Sequence, residues 1–247
     1  MPFTFSHPAL VLPLTIFPKR FYSLTGLIVG STAPDFEYFL KMSTSGKFGH
    51  SIVGIFAFCL PVSILLTFIY HIIVRDALID NLPHLLKSRV AIYKKLNWVN
   101  YFNSNRIIVM ISLLIGICTH LLWDSFTHEH GYFVSIFSPL RTTITLFEIQ
   151  IPFYRFLQHS SSLVGATILV IAIFRLPQQE LKKGDISFRF WGILIGLAIL
   201  LLTTRLFLAH DYRQFNTFII AAMSCGLLSL IVTPIIINKY NPSKKSY

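Results

Sequence analysis

Long apolar runs separated by short polar segments dominate the chain. Five of these runs approach the length of about 20 residues at which a helix crosses a bilayer. They predict membrane helices at residues 49–74, 106–127, 157–174, 189–208 and 217–238. A sixth stretch, FYSLTGLIVGSTA at residues 21–33, is shorter and contains two glycines, which indicates a short, tilted or re-entrant helix. The pattern predicts an all-α, polytopic membrane protein with five transmembrane helices and one short N-terminal helix.

The composition supports this class. Of the 247 residues, 54% are hydrophobic and only 13% are charged, which is too few charges to cover a soluble domain. Cys59, Cys118 and Cys225 lie inside apolar runs, without the spacing of a disulfide framework or a thiolate zinc site. We expect one membrane domain over residues 1–247, with an N-terminal segment at 1–47, membrane helices at 48–238 and a short basic tail at 239–247.

The net charge of +11 comes from lysines and arginines that flank the predicted spans. They cluster after the first, third and fifth spans, at residues 75–95, 175–183 and 239–245. These three regions share one side of the membrane, which the positive-inside rule makes cytoplasmic. Because the clusters are small and adjoin spans, they favour contact with membrane lipids and argue against nucleic acid as a partner.

Three ionisable residues, His120, Asp124 and His128, end the second span in the run ICTHLLWDSFTHEHG. On a helix, a spacing of four residues rises about 6 Å and turns about 40°, so the side chains form one stripe. An aspartate at the centre of a bilayer costs about 2.5 to 3.5 kcal/mol to insert. The stripe therefore indicates a functional site. Its alternative is a buried His–Asp hydrogen bond that holds helices together.

Other candidate ligands fall at the same predicted membrane face. His50 opens the first span and His159 opens the third, so both lie on the extracytoplasmic side with the stripe. His7, in FSHP, and Asp35, in STAPDFEYF, can both join them only if residues 21–33 do not cross the membrane. The alternatives are a helix cap for Asp35 and a turn position for His7.

Several motifs in this order resemble known membrane proteins. TFSHPA, APDFEYF, GHS and HLLWDSFTHEHG resemble the DUF4184 family of bacterial membrane proteins over essentially the whole chain. This likeness implies the bacterial cytoplasmic membrane.

A more distant likeness is to membrane-bound metal-dependent hydrolases of the YdjM type, which are related to zinc-dependent phospholipase C. It implies metal ligands at His7, Asp35, His50, His120 and Asp124. The chain departs from that pattern at PDFE, where Glu37 replaces an aspartate, and no arginine precedes the HS pair.

The residue types themselves also favour metal binding, independently of the likeness. Neutral imidazoles and carboxylates suit zinc and similar divalent ions. With His128 and His159 included, the set suffices for one or two ions, and such an ion can activate water near neutral pH. We interpret the protein as a membrane-embedded metal-dependent hydrolase acting on a phosphate-containing lipid or lipid-linked headgroup. Asp124 and Glu37 are its candidate proton-handling groups, and the candidate phosphate contacts are Arg141, Arg155 and Arg213.

The alternative is a non-enzymatic membrane protein. It would be a metal or proton transporter, or an assembly factor, that uses the same His and Asp residues for ion relay or helix packing. A transporter needs ionisable residues at mid-membrane, but the interiors of the later spans, at residues 160–174, 190–204 and 217–237, contain none. The one-sided distribution favours hydrolysis over transport.

Overall fold

Helices form most of the structure, a computed structural model that describes residues 4–181, 187–209 and 214–240. In chain order they are α1 (Leu24–Gly30), α2 (Phe36–Lys41), α3 (Ile52–Asp80), α4 (His84–Val90), α5 (Trp98–Ser104), α6 (Arg106–Thr127), α7 (Tyr132–Ile136), α8 (Phe153–Arg175), α9 (Phe188–Leu208) and α10 (Phe215–Tyr240). Within the described residues, five helical segments are long and apolar enough to cross a membrane: α3, the run through α6 and α7, α8, α9 and α10. The prediction of a helical multi-pass protein with five spans is confirmed.

The N-terminal segment Thr4–Ile16 is a 3₁₀ helix of unusual length. Pro8 and Pro13 lie within it and lack the N–H that an α-helix would require. The segment precedes α1 and buries His7. Shorter 3₁₀ turns follow at Lys19–Phe21, Ala33–Asp35, Ala91–Lys95 and Ser138–Arg141.

The first of two compact units consists of residues 4–36, 47–63 and 105–172. In it, α1 lies against α6 with the two backbones almost in contact. A Cβ atom added at Gly30 would lie 2.2 Å from the carbonyl oxygen of Leu113, and one at Gly116 would lie 2.4 Å from that of Leu27. Only glycine allows helices to approach this closely, so these two positions set the distance between α1 and α6.

The second compact unit consists of residues 37–46, 64–104 and the described residues from 173 onward. Here α9 and α10 pack together, and Phe190, Ile220 and Cys225 are buried. Apolar side chains such as Ile199 and Leu200 remain exposed on α9, as expected for a helix in contact with lipid. The prediction of one membrane domain was made for the whole chain and stays a prediction.

The segment at residues 21–33 does not cross a membrane. Helix α1 has seven residues, which span about 10 Å, whereas the hydrocarbon core is about 30 Å thick. The hydroxyl of Thr4, before this segment, donates a hydrogen bond to the carboxylate of Asp35, after it. Its two ends therefore meet, as a re-entrant or interfacial helix requires.

A hairpin between α7 and α8 was not predicted from the sequence. Its strands, β1 (Thr143–Leu146) and β2 (Ile149–Pro152), pair antiparallel. The turn residues Phe147 and Glu148 both have positive φ, 49° and 67°, as a type I′ turn requires. The side chain of Phe147 is 97% exposed. The alternating polar and apolar residues of TITLFEIQIP were the available signal.

Candidate metal centre

Helix α6 carries two central residues of the site. His120 and Asp124 are one turn apart, both are buried, and Nε2 of His120 lies 3.3 Å from Oδ2 of Asp124. The helix ends at Thr127, so His128 is its C-cap residue in extended conformation. Nδ1 of His128 still lies 3.3 Å from Oδ1 of Asp124. The predicted stripe is therefore formed, with its third member just beyond the helix.

The N-terminal 3₁₀ helix places His7 directly on α6. The His7 and His120 rings stack with their centroids 3.8 Å apart, and Nε2 of His7 lies 3.7 Å from Oδ1 of Asp124. Ser6 anchors this segment to α8, since its hydroxyl donates a 2.8 Å hydrogen bond to the carbonyl oxygen of Ser162. His7 thus has a fixed position within the buried core of the site.

The segments that flank α2 contribute Asp35 and His50. Asp35 ends the 3₁₀ turn that follows α1, and its Oδ1 lies 3.6 Å from Nε2 of His120. His50 precedes Ser51, the residue that caps α3. Nε2 of His50 lies 3.3 Å from Oδ2 of Asp124 and 3.7 Å from Oδ1 of Asp35. Ligand candidates from four separate segments therefore meet at Asp124.

Four of these residues form a group with the dimensions of a metal site. The ligand atoms of Asp35, His50, His120 and Asp124, hereafter the His/Asp cluster, all lie within 4.8 Å of one another. The contacts given above between imidazole nitrogens and carboxylate oxygens are 3.3 to 3.7 Å long. Ligand atoms around a tetrahedral ion with bonds of about 2.0 to 2.2 Å are separated by about 3.3 to 3.6 Å. The cluster therefore has donor atoms that could hold a metal ion.

Hydrogen bonding in the His/Asp cluster also fits a cation. Nδ1 of His120 lies 2.7 Å from the carbonyl oxygen of Ser31, so Nδ1 carries a proton and Nε2 faces the carboxylates, where its lone pair could bind a metal. Nε2 of His120 and Oδ1 of Asp124 are buried without a hydrogen-bond partner among the described residues. Buried polar atoms in this state are costly, and a bound cation would satisfy them.

His7 and Asp35 lie outside the membrane spans and have shifted pKa values. Burial, and then the nearby imidazole of His120, lowers the pKa of His7 from 6.5 to about 3. Burial alone would raise the pKa of Asp35, but attraction to His120 and the hydrogen bond from Thr4 hold it below 3.8. Near neutral pH, His7 is therefore neutral and Asp35 is ionised, which are the forms that bind metals.

Two other sequence candidates lie apart from the cluster. The side chain of His159 is exposed, whereas the preceding residue Gln158 is buried and its Nε2 lies 3.2 Å from Nε2 of His128. Neighbouring helix positions point about 100° apart, so only one of the two faces the site. Glu37 is buried with its Oε1 2.6 Å from Nζ of Lys41, and it is not a member of the His/Asp cluster.

The candidate phosphate contacts do not form part of the cluster either. Arg141 and Arg155 are exposed, and Nε of Arg141 donates a 2.6 Å hydrogen bond to the carbonyl oxygen of Val134. Arg213 lies outside the described residues.

Several residues that support the site were not predicted from the sequence. Ser31 fixes the tautomer of His120, Thr4 bonds to Asp35, and Gln158 holds His128. Nε1 of Trp123 donates a 3.0 Å hydrogen bond to Ser161 beside the His7 ring. These side chains and backbone groups do not titrate and are common in any helix, so the sequence offered no signal that separates them from ordinary packing residues.

A family model described as "Domain of unknown function (DUF4184)" matches residues 1–236, a range that contains every residue of the His/Asp cluster. No curated protein and no solved structure matches the chain.

Proposed function

This chain belongs to the DUF4184 family, and we propose that it is a membrane-embedded metal-dependent hydrolase. One observation carries the proposal: the ligand atoms of Asp35, His50, His120 and Asp124 lie within 4.8 Å of one another. This group is buried at the end of a span, where two uncompensated carboxylates would be costly. A divalent cation would balance their charge.

The donor set favours zinc. Two imidazoles and two carboxylates are ligands that zinc accepts in tetrahedral geometry. When bound in such a site, the ion supplies Lewis acidity and lowers the pKa of a coordinated water. Manganese and iron accept the same ligand types, so the assignment to zinc rests on the spacing of the donors.

The residues of the chain have separate roles in this proposal. Ser31 orients His120 and Thr4 orients Asp35 through the hydrogen bonds described above. His7 covers one side of the cluster and excludes water, since it is 1% exposed. The side chain of His50 is 21% exposed, so the proposed approach of a substrate is from this side. The proton-handling roles of Asp124 and Glu37 stay predictions.

The proposed substrate is a phosphate-containing lipid or a lipid-linked headgroup. The site adjoins the spans formed by α3 and α6, so a substrate held in the membrane can reach it without leaving the bilayer. Exposed Arg141 and Arg155 are proposed to contact the phosphate. From the distribution of basic loops, the proposed location is the extracytoplasmic face of a bacterial cytoplasmic membrane.

A hydrolysis assay tests this proposal. The full chain, purified in detergent and supplied with zinc or manganese, is incubated with mixed micelles of phospholipids and with soluble phosphodiesters, and released headgroup or phosphate is measured. We expect turnover that is lost in His120→Ala/Asp124→Ala and retained in His159→Ala, whose side chain lies outside the cluster.

A well-folded, metal-loaded protein that cleaves none of these substrates would contradict hydrolysis. Metal flux in proteoliposomes that depends on His120 and Asp124 would then support the transporter alternative.

A further inference from the structure

We infer that the site holds a second cation, bound by Oδ1 of Asp124, His7 and His128. This inference rests on the proposed function, because it adds a position beside the ion that Asp35, His50 and His120 would bind with Oδ2 of Asp124. Asp124 would then bridge the two cations. The second position lies outside the group of four residues described above.

The two oxygens of Asp124 face different histidines. Oδ2 lies 3.3 Å from Nε2 of His50 and 3.3 Å from Nε2 of His120. Oδ1 lies 3.7 Å from Nε2 of His7 and 3.3 Å from Nδ1 of His128. Each oxygen therefore has its own pair of imidazole nitrogens at 3.3 to 3.7 Å, close to the separation of about 3.3 to 3.6 Å between two ligands of one tetrahedral ion.

Oδ1 of Asp124 is the atom that a second cation would satisfy. This atom is buried and has no hydrogen-bond partner among the described residues, although an ionised carboxylate oxygen has two acceptor sites. Asp124 as a whole is only 8% exposed, so water covers little of it. A single cation on the Oδ2 side would leave Oδ1 in this state, whereas a second cation satisfies it.

Gln158 can prepare His128 for this role. Its amide lies 3.2 Å from Nε2 of His128, and rotation about the last side-chain bond exchanges the amide nitrogen and oxygen. With the oxygen toward the ring, Gln158 accepts a hydrogen bond from Nε2–H. The contact of 3.3 Å between Nδ1 of His128 and the backbone carbonyl oxygen of Asp124 is then given up, and the Nδ1 lone pair can bind the cation. Histidines that bind metals commonly donate their second N–H to such an acceptor. Gln158 is thus a positioning residue.

Two cations would narrow the class of substrate. Sites with two ions about 3.5 to 4 Å apart are typical of phosphatases and nucleases, where the ions contact the attacking and leaving oxygens of a phosphoryl group. Two ions fit the phosphoester substrates proposed above, and also the amides that aminopeptidases cleave.

A metal titration tests the second position without any substrate. The metal-free full chain in detergent is titrated with Mn²⁺, and bound equivalents are counted by calorimetry and by electron paramagnetic resonance. We expect two equivalents and a spin-coupled spectrum for the natural protein. His128→Ala should bind one equivalent with an uncoupled spectrum, while His159→Ala should match the natural protein.

Variants of Gln158 separate positioning from packing. Gln158→Leu should weaken only the second equivalent, by about 10- to 100-fold. Gln158→Glu, which can only accept from Nε2–H when ionised, should retain it.

One uncoupled equivalent in the natural protein, unchanged in His128→Ala, would overturn the second position and leave the proposed function standing. No bound metal in the natural protein would overturn both.

Discussion

The His/Asp cluster in the first unit and a network around Arg75 in the second both place charged groups among apolar helices. In the Arg75 network, Arg75 is 6% exposed. Its Nη1 lies 2.6 Å from the carbonyl oxygen of Leu96 and 3.0 Å from Nδ1 of His71, and its Nε donates to Asp76 at 2.6 Å. The cation of this network is part of the chain, and three acceptors surround it.

The His/Asp cluster has no lysine or arginine among its four members. Two carboxylates and two imidazoles converge at 3.3 to 3.7 Å, and Oδ1 of Asp124 has no hydrogen-bond partner among the described residues. Buried charges persist when they are paired or coordinate metals. The comparison supports a structural role for the Arg75 network and the proposal that an ion from solution would complete the His/Asp cluster.

Removal of the ion should have the largest effect on stability. A ligand present at about 1,000 times its dissociation constant stabilises a protein by about 4 kcal/mol, which corresponds to about 8 to 16 °C in a chain of this size. We expect a chelator to lower the unfolding temperature of the natural protein on this scale. Thermal unfolding in detergent with and without added zinc measures the shift.

Asp124→Asn provides the matched control for the chelator. Its amide keeps the shape of the side chain and removes the charge, so its unfolding temperature should not respond to the chelator. An equal response in both proteins would place the metal elsewhere.

The second-largest effect should come from acid, which should release the ion. Each histidine that binds a metal must be neutral, and an ordinary imidazole has a pKa of about 6.5, so each ligand costs up to about tenfold in affinity per pH unit below that value. Titration of His7 also lowers the stability of the folded protein in acid, because its pKa is lowered from 6.5 to about 3 in the folded protein. The unfolded chain binds more protons between pH 6.5 and 3, so stability is present above this range and is lost as the pH falls through it.

A pH series with a fluorescent zinc indicator follows this release. An affinity for zinc that stays constant as the pH falls from about 6.5 to about 4.5 would contradict imidazole ligands, whose ordinary pKa is about 6.5.

Gly116→Ala should have a smaller but specific effect. The added methyl would lie 2.4 Å from the Leu27 carbonyl oxygen and would push α1, with Ser31, away from His120. Overpacking of this kind costs about 1 to 3 kcal/mol, and we expect a weaker affinity for zinc as well as a lower unfolding temperature.

Gly192→Ala is its control, because nothing lies within 4 Å of the added methyl. Alanine is favoured over glycine within a helix by about 0.5 to 1 kcal/mol, so this variant should be unchanged or slightly more stable. Similar behaviour of the two variants would show that the close approach of α1 and α6 does not matter for the site.

Arg75→Met should lower stability without changing the metal content. It leaves buried acceptors unpaired, which costs about 1 to 3 kcal/mol. Asp76→Ala should have less effect, because the Asp76 side chain is 54% exposed and exposed ion pairs contribute at most about 1 kcal/mol. Unfolding temperature and bound zinc are measured together. Loss of zinc in Arg75→Met would contradict a purely structural role for the Arg75 network.

The sequence predicted the parts of the structure that depend on hydropathy and helical spacing. The five spans followed from their apolar length, and His120 with Asp124 followed from a spacing of four residues inside one of them. Both signals are local, so they do not require knowledge of which segments meet in space.

The remaining ligands depend on tertiary structure. His7 and Asp35 converge only because residues 21–33 do not cross the membrane. The hydrogen bond between Thr4 and Asp35 that brings the two ends together is a tertiary contact that an isolated sequence does not reveal. His159 is a candidate by residue type, because histidine binds metals, whereas in the structure Gln158 contacts His128. The face that α8 presents to His128, which decides between the two, could not be determined from residue type.

Elemental analysis of the detergent-purified protein tests the central claim most directly. Zinc, manganese and iron are counted per chain in the natural protein and in His120→Ala/Asp124→Ala, after both have been shown to be monodisperse and helical. We expect one or two equivalents of a divalent metal in the natural protein and none in the variant. A well-folded natural protein that holds no metal after reconstitution, or equal metal in both proteins, would contradict it.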